Sequence, residues 1–77
     1  MILVVNASKL DAEDAVCSVV KKYTKLYQVK SRNLTASSLD LVIELRTAEG
    51  SKLVQEAMAL DGISSVSLLS HDGEVTF

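Results

Sequence analysis

The sequence predicts an α+β domain in which a four-stranded antiparallel sheet carries two helices on one face. Three observations lead there. Residues 39–46, Leu-Asp-Leu-Val-Ile-Glu-Leu-Arg, alternate apolar and polar side chains with only Val42 breaking the polar side, the pattern of a half-buried strand. Two other stretches, following Asp11 and Ser51, repeat their apolar residues at spacings of three and four, as helices do. With no proline and only three glycines in 77 residues, dense regular structure with short connections is expected.

In chain order, residues 2–5 are a short continuous apolar run, read as a buried strand from their length and β-branching. Residues 6–9 form its exit loop. Asp11 is the expected helix N-cap, with Asp14 three residues on and Leu10 placed to staple onto Ala15. Asp11, Glu13 and Asp14 at the start of this helix, and Lys21, Lys22 and Lys25 at its end, complement the helix dipole. Its expected buried stripe is Ala12, Ala15, Val16, Val19, Val20 and Tyr23. Residues 26–33 read as a strand with Tyr27, Val29 and Ser31 on one face and Gln28, Lys30 and Arg32 on the other. Residues 35–38 are a polar connection of hairpin length leading into the 39–46 strand. Glu49-Gly50-Ser51 ends that strand, and Ser51 caps a second helix running to about Leu60, with Leu53, Val54, Ala57 and Met58 inward. Gly62 stands where a left-handed residue ends a helix. Ile63 and residues 66–69 make the last strand. Residues 71–74, His-Asp-Gly-Glu, signal a turn, after which residues 75–77 either return as a short extra strand or hang free. The order is β-α-β-β-α-β. Right-handed crossovers fold such a chain into a ferredoxin-like sandwich whose first and third strands are central, here one domain over residues 1–77.

Small size shapes the functional reading. A domain this short buries only about 60% of the surface its unfolded chain exposes. One cysteine rules out an internal disulfide, and one cysteine with one histidine cannot build a structural zinc site. Self-association, or attachment to a larger protein, is the remaining support. No cofactor is called for. The net charge of −2 and an aromatic set of Tyr23, Tyr27 and Phe77 argue against nucleic acid. No run approaches the roughly 18 apolar residues of a membrane span, and residues 2–5 are too short for a signal-peptide core. A lone thiol fits a reducing compartment. Met1 lies directly against a strand, as expected if the chain is a piece of a longer protein.

The sheet face away from the helices is expected to be partly apolar. If Leu41 and Ile43 point at the helices, Val42 points away; if Val66 and Leu68 point in, Leu69 points out. Either register of residues 2–5 leaves two apolar side chains outside. Leu3, Val5, Val42 and Leu69 are therefore the candidate contact residues for a homodimer or higher homo-oligomer. Partial cover by residues 75–77 is the alternative. Other candidates carry less chemistry. His71 in a turn has no serine or acid at a spacing that makes a triad. Cys17 lies mid-helix beside the buried stripe and reads as a small hydrophobe. The acidic first turn is accounted for by the dipole. Lys21, Lys22, Lys25, Lys30 and Arg32 gather five of the eight basic residues around one helix end and the next strand, a patch for a polyanion or an anionic lipid surface. Asn6, Ser8 and Lys9 lead into a helix N-terminus, where backbone N–H groups hold anions, although the loop has no glycine. No nucleophile–base pair or metal set can be assembled, so no enzyme is expected.

Two resemblances add to this. The strand at residues 2–5, the helix after Asp11 and residues 60–66, LDGISSV, resemble ACT-type regulatory domains, which implies paired subunits and an effector site at the first strand–helix loop. Residues 22–32 (KYTKLYQVKSR), 40–46 (DLVIELR) and 62–74 (GISSVSLLSHDGE) resemble, in order and at fitting spacing, an uncharacterised bacterial family of small multi-pass membrane proteins often encoded near VTC-type polyphosphate polymerases. The resemblance implies a soluble cytoplasmic tail tethered to the inner membrane through a segment absent from this chain. The expected function is a non-catalytic self-associating or regulatory domain, with small-ligand or anion sensing (phosphate or polyphosphate) as the alternative.

Overall fold

The computed structural model describes residues 1–69; the expected turn at 71–74 and returning strand at 75–77 lie outside them. In chain order the elements are β1 (Ile2–Ala7), α1 (Glu13–Tyr23), β2 (Tyr27–Leu34), β3 (Leu39–Leu45), α2 (Gly50–Met58) and β4 (Ile63–Leu69). The strands form one open antiparallel sheet in the order β2-β3-β1-β4. The architecture is α+β and compatible with a ferredoxin-like fold.

β3 sits where its alternation requires. Leu39, Leu41, Ile43 and Leu45 are buried, and Asp40, Val42 and Glu44 between them are not. On β1 the opposite partners Leu3, Val5 and Ala7 face the same way and are completely buried. These residues join Val16, Val19 and Val20 of α1 and Leu53 and Ala57 of α2 in one core cluster, so both helices share one side of the sheet.

The helices start differently from the sequence expectation. Asp11 does not cap α1. The Ala12 amide bonds the Lys9 carbonyl at 3.3 Å in a tight turn, and Ala12, buried in the core, takes the N-cap position without a side-chain hydrogen bond. Asp11 itself stays exposed. The expected staple is absent too: Leu10 and Ala15 are both exposed. α2 begins at Gly50 rather than after a Ser51 cap and ends at Met58, two residues earlier than expected; Met58 faces solvent, and the stripe narrows to Leu53 and Ala57 with Val54 at its margin. Gly62 does adopt a positive φ, +82°, in the turn that follows.

β2 departs from simple alternation. Its register with β3 shifts between Val29 and Ser31. One extra residue exchanges the faces of everything beyond it. Val29 lies opposite buried Ile43, but so does Arg32 lie opposite buried Leu41, while Ser31 lies opposite Val42. Ser31 and Arg32 thus stand on the faces opposite to those expected. The β2–β3 hairpin closes on side chains and needs no glycine: Thr35 N donates to the Ser38 carbonyl at 2.8 Å and Ser38 N to Thr35 Oγ1 at 3.0 Å.

Candidate functional site

The candidate site is the sheet face turned away from the helices. Because side chains alternate, the register states what lies there. Val4 of β1 is opposite Val42 of β3 and Ser67 of β4; Ile2 is opposite Glu44 and Leu69. Ile2, Val4 and Val42 are half-buried by their neighbours, and Leu69 at the edge is 52% exposed. An apolar strip therefore crosses three adjacent strands. Polar groups border it. Asn6 Nδ2 donates to Asp40 Oδ1 at one end, beside Ser65 and Asn33. Lys30 and Glu44 pair at 3.7 Å toward the other.

Of the four contact residues read from the sequence, Val42 and Leu69 are on this face. Leu3 and Val5 are not: they are core residues, and Ile2 and Val4 take their place. A signal for this was present. β1 continues to Ala7, and in the longer alternation the even positions end in polar Asn6 while the odd ones end in Ala7. A polar side chain belongs on the wetter face, which assigns Ile2 and Val4 outward.

The five basic residues do not form one patch. Arg32, turned to the helix side by the register shift, makes a bidentate pair with Glu13 of α1 at 2.9–3.1 Å. Lys22 bonds Glu56 of α2, and Lys30 is on the open face with Glu44. Lys21 and Lys25 are exposed. Sequence proximity placed them together; the fold sends them in different directions and supplies three of them with carboxylates.

The Asn6–Ser8–Lys9 group is likewise engaged within the chain. Asn6 lies in β1 and holds Asp40. Ser8 N bonds the Gly62 carbonyl at 2.8 Å, with Ser8 Oγ at 3.3 Å from the same oxygen, and Lys9 Nζ lies 3.8 Å from Asp61. The loop is a clasp onto the turn before β4.

A cluster not foreseen joins the helices: Tyr23 OH donates to Glu56 Oε1 at 2.6 Å while Lys22 bonds Oε2. The hydrogen bonds from Lys22 and then from Tyr23 hold the Glu56 carboxyl below its ordinary value, and Glu56 in turn raises the Tyr23 phenol. Cys17 is half-buried; burial, then the Glu13 carboxylate, push its thiol up, which disfavours the nucleophilic thiolate. His71 lies outside the described residues. Among the described residues no three His, Cys, Asp or Glu side chains gather as metal ligands, and no helix is long and apolar enough to cross a membrane.

Fold and face together define a small α+β module with an apolar strip on the sheet side away from its helices. Compared with known proteins, the chain matches no family model, no curated protein and no solved structure.

Proposed function

We propose that the chain is a non-catalytic self-association module, with the open sheet face meeting the same face of a second copy. The observation that carries this is the Val4–Val42 pair at the sheet centre, flanked by Ile2 and Leu69 and framed by polar residues. An apolar centre with a polar rim is the usual anatomy of a protein contact. Four strands spaced about 4.8 Å apart, each near 3.3 Å per residue over some seven residues, give a projected face of roughly 400 Å². The accessible side-chain surface is larger than that projection, and a standard interface takes about 800 Å² from each partner. The face is thus of a size suited to a weak, transient contact. Covering a few hundred Å² of apolar surface over two copies contributes several kcal/mol at about 25 cal/mol per Å². That predicts a weak, concentration-dependent dimer.

The resemblances described above add the setting: an ACT-like regulatory domain, cytoplasmic, tethered to the inner membrane of a bacterium through a segment absent from this chain. The alternative of an anion sensor at Asn6, Ser8 and Lys9 has less support, since the loop's groups already bond Gly62, Asp61 and Asp40.

Sedimentation equilibrium tests the reading. The wild-type mass should rise above that of the monomer at high micromolar concentration. The Val4→Asp, Val42→Asp double variant should remain folded by circular dichroism and run as monomer. A wild-type chain that stays monomeric throughout would reject the proposal.

A further inference from the structure

A second surface carries its own chemistry. Where β1 and β2 begin and β3 ends, the strand termini surround a cleft of about 580 Å³. Its frame is secured by backbone bonds: Leu45 N to the Met1 carbonyl at 2.9 Å, and Arg46 N to the Leu26 carbonyl at 3.1 Å. The apolar part of the lining is Met1, Leu26, Tyr27 and Leu45, with Lys25 and Arg46 beside them. Leu26 is 67% exposed, the most exposed of the large hydrophobic residues described.

Two cations without a carboxylate partner among the described residues meet at this cleft. Lys9, Lys22, Lys30, Arg32 and Lys52 each face a carboxylate within 4.0 Å. Among the described residues, Lys21, Lys25 and Arg46 are in no such pair, and Lys25 and Arg46 both line the cleft. Glu44 also reaches it, but Lys30 lies 3.7 Å from that carboxylate. Two unmatched cations beside a concavity raise the local positive potential. A guanidinium takes two oxygens of a phosphate or carboxylate at once, and the ammonium adds a point charge. The volume falls within the ~300–1,000 Å³ typical of small-ligand sites.

The geometry points to a binding site for an amphipathic anion, its phosphate or carboxylate head held by Lys25 and Arg46 and its apolar body against Leu26 and Tyr27. This site is at the opposite end of β1 from the Asn6–Lys9 loop and does not rest on self-association.

Hexyl phosphate is the probe, followed by amide chemical shifts, with inorganic phosphate and hexanol as its separate halves. Saturable shifts should be confined to residues 25–28 and 44–46, with hexyl phosphate binding at least tenfold more tightly than either half. Lys25→Ala with Arg46→Ala should weaken it at least tenfold without changing the melting temperature. Leu26→Ser should weaken hexyl phosphate several-fold but leave inorganic phosphate unaffected. Vesicles of phosphatidylcholine with phosphatidic acid identify the source. Cosedimentation lost in the double variant means a bilayer headgroup; binding of free hexyl phosphate without cosedimentation means a soluble ligand. Shifts elsewhere, no preference for hexyl phosphate over its halves, or unchanged binding by the double variant would overturn the assignment.

Discussion

Replacing Gly62 by alanine tests how the two halves of the chain are joined. Gly62 has a φ of +82°, and a Cβ built on it would stand 2.3 Å from the Lys9 Cβ and 3.3 Å from Lys9 Cγ and Cδ. Two separate costs follow. Holding an L-residue in the left-handed region costs about 1–2 kcal/mol. The collision adds to it. The Lys9 Cβ is fixed to the backbone and cannot swing aside, so the loop at residues 8–9 must retreat. That retreat endangers the 2.8 Å bond from Ser8 N to the Gly62 carbonyl, worth about 1 kcal/mol. The expected loss is therefore about 2–4 kcal/mol, from a total of roughly 4–12 kcal/mol at 0.05–0.15 kcal/mol per residue. At about 4–8 °C per kcal/mol for a domain of this size, the melting temperature should fall by roughly 8–32 °C. Urea unfolding followed by circular dichroism measures the change, with an unaltered denaturant slope expected. Gly62→Asn separates the two costs, because asparagine tolerates a positive φ but still carries the colliding Cβ. An alanine variant within about 0.5 kcal/mol of wild type would refute the reasoning. Full recovery with asparagine would refute the collision.

Two further predictions concern the core and the acid limb of stability. Leu41→Ala, at a completely buried position in the middle of β3, should cost about 2–5 kcal/mol in the same urea assay, whereas a cost below 1 kcal/mol would mean the core is not built around this strand. The depressed carboxyl of Glu56 makes a contribution with a definite sign: the folded chain binds this proton less readily than the unfolded chain, so acid favours unfolding. The contribution is complete above the ordinary carboxylate range near pH 4.3 and is lost as pH falls through the lower folded value. Melting temperatures measured between pH 6 and pH 2.5 should decline more steeply for wild type than for Glu56→Gln; parallel curves would contradict the Lys22–Glu56–Tyr23 account.

Much of the fold could be read from local pattern. The alternation over residues 39–46 identified a central strand, and the three-and-four spacings identified both helices. What failed was local in a different way. Asp11 has the chemistry of a cap, but Ala12 is buried at the N-cap position, and the helix begins one residue later than a capping rule would place it. Ser31 and Arg32 were assigned by alternation, which a single extra residue in β2 reverses. Leu3 and Val5 were placed outside because a four-residue apolar run has no polar member to mark its face. Asn6 supplies that mark only once β1 is known to extend through it.

Site features divide along the same line. The sequence alone determined that apolar residues outnumber the places the helices can cover, because two amphipathic stripes shield one side of a sheet and Val42 and Leu69 fall on the other parity. It also determined that no disulfide can form within these 77 residues, since they hold one cysteine. Only the tertiary structure decided which residues of β1 share the open face, which lysines and arginines have carboxylates and which line a cleft. Parity within a strand is a local property of the backbone, whereas strand register and the pairing of distant charges exist only after segments far apart in the chain have docked.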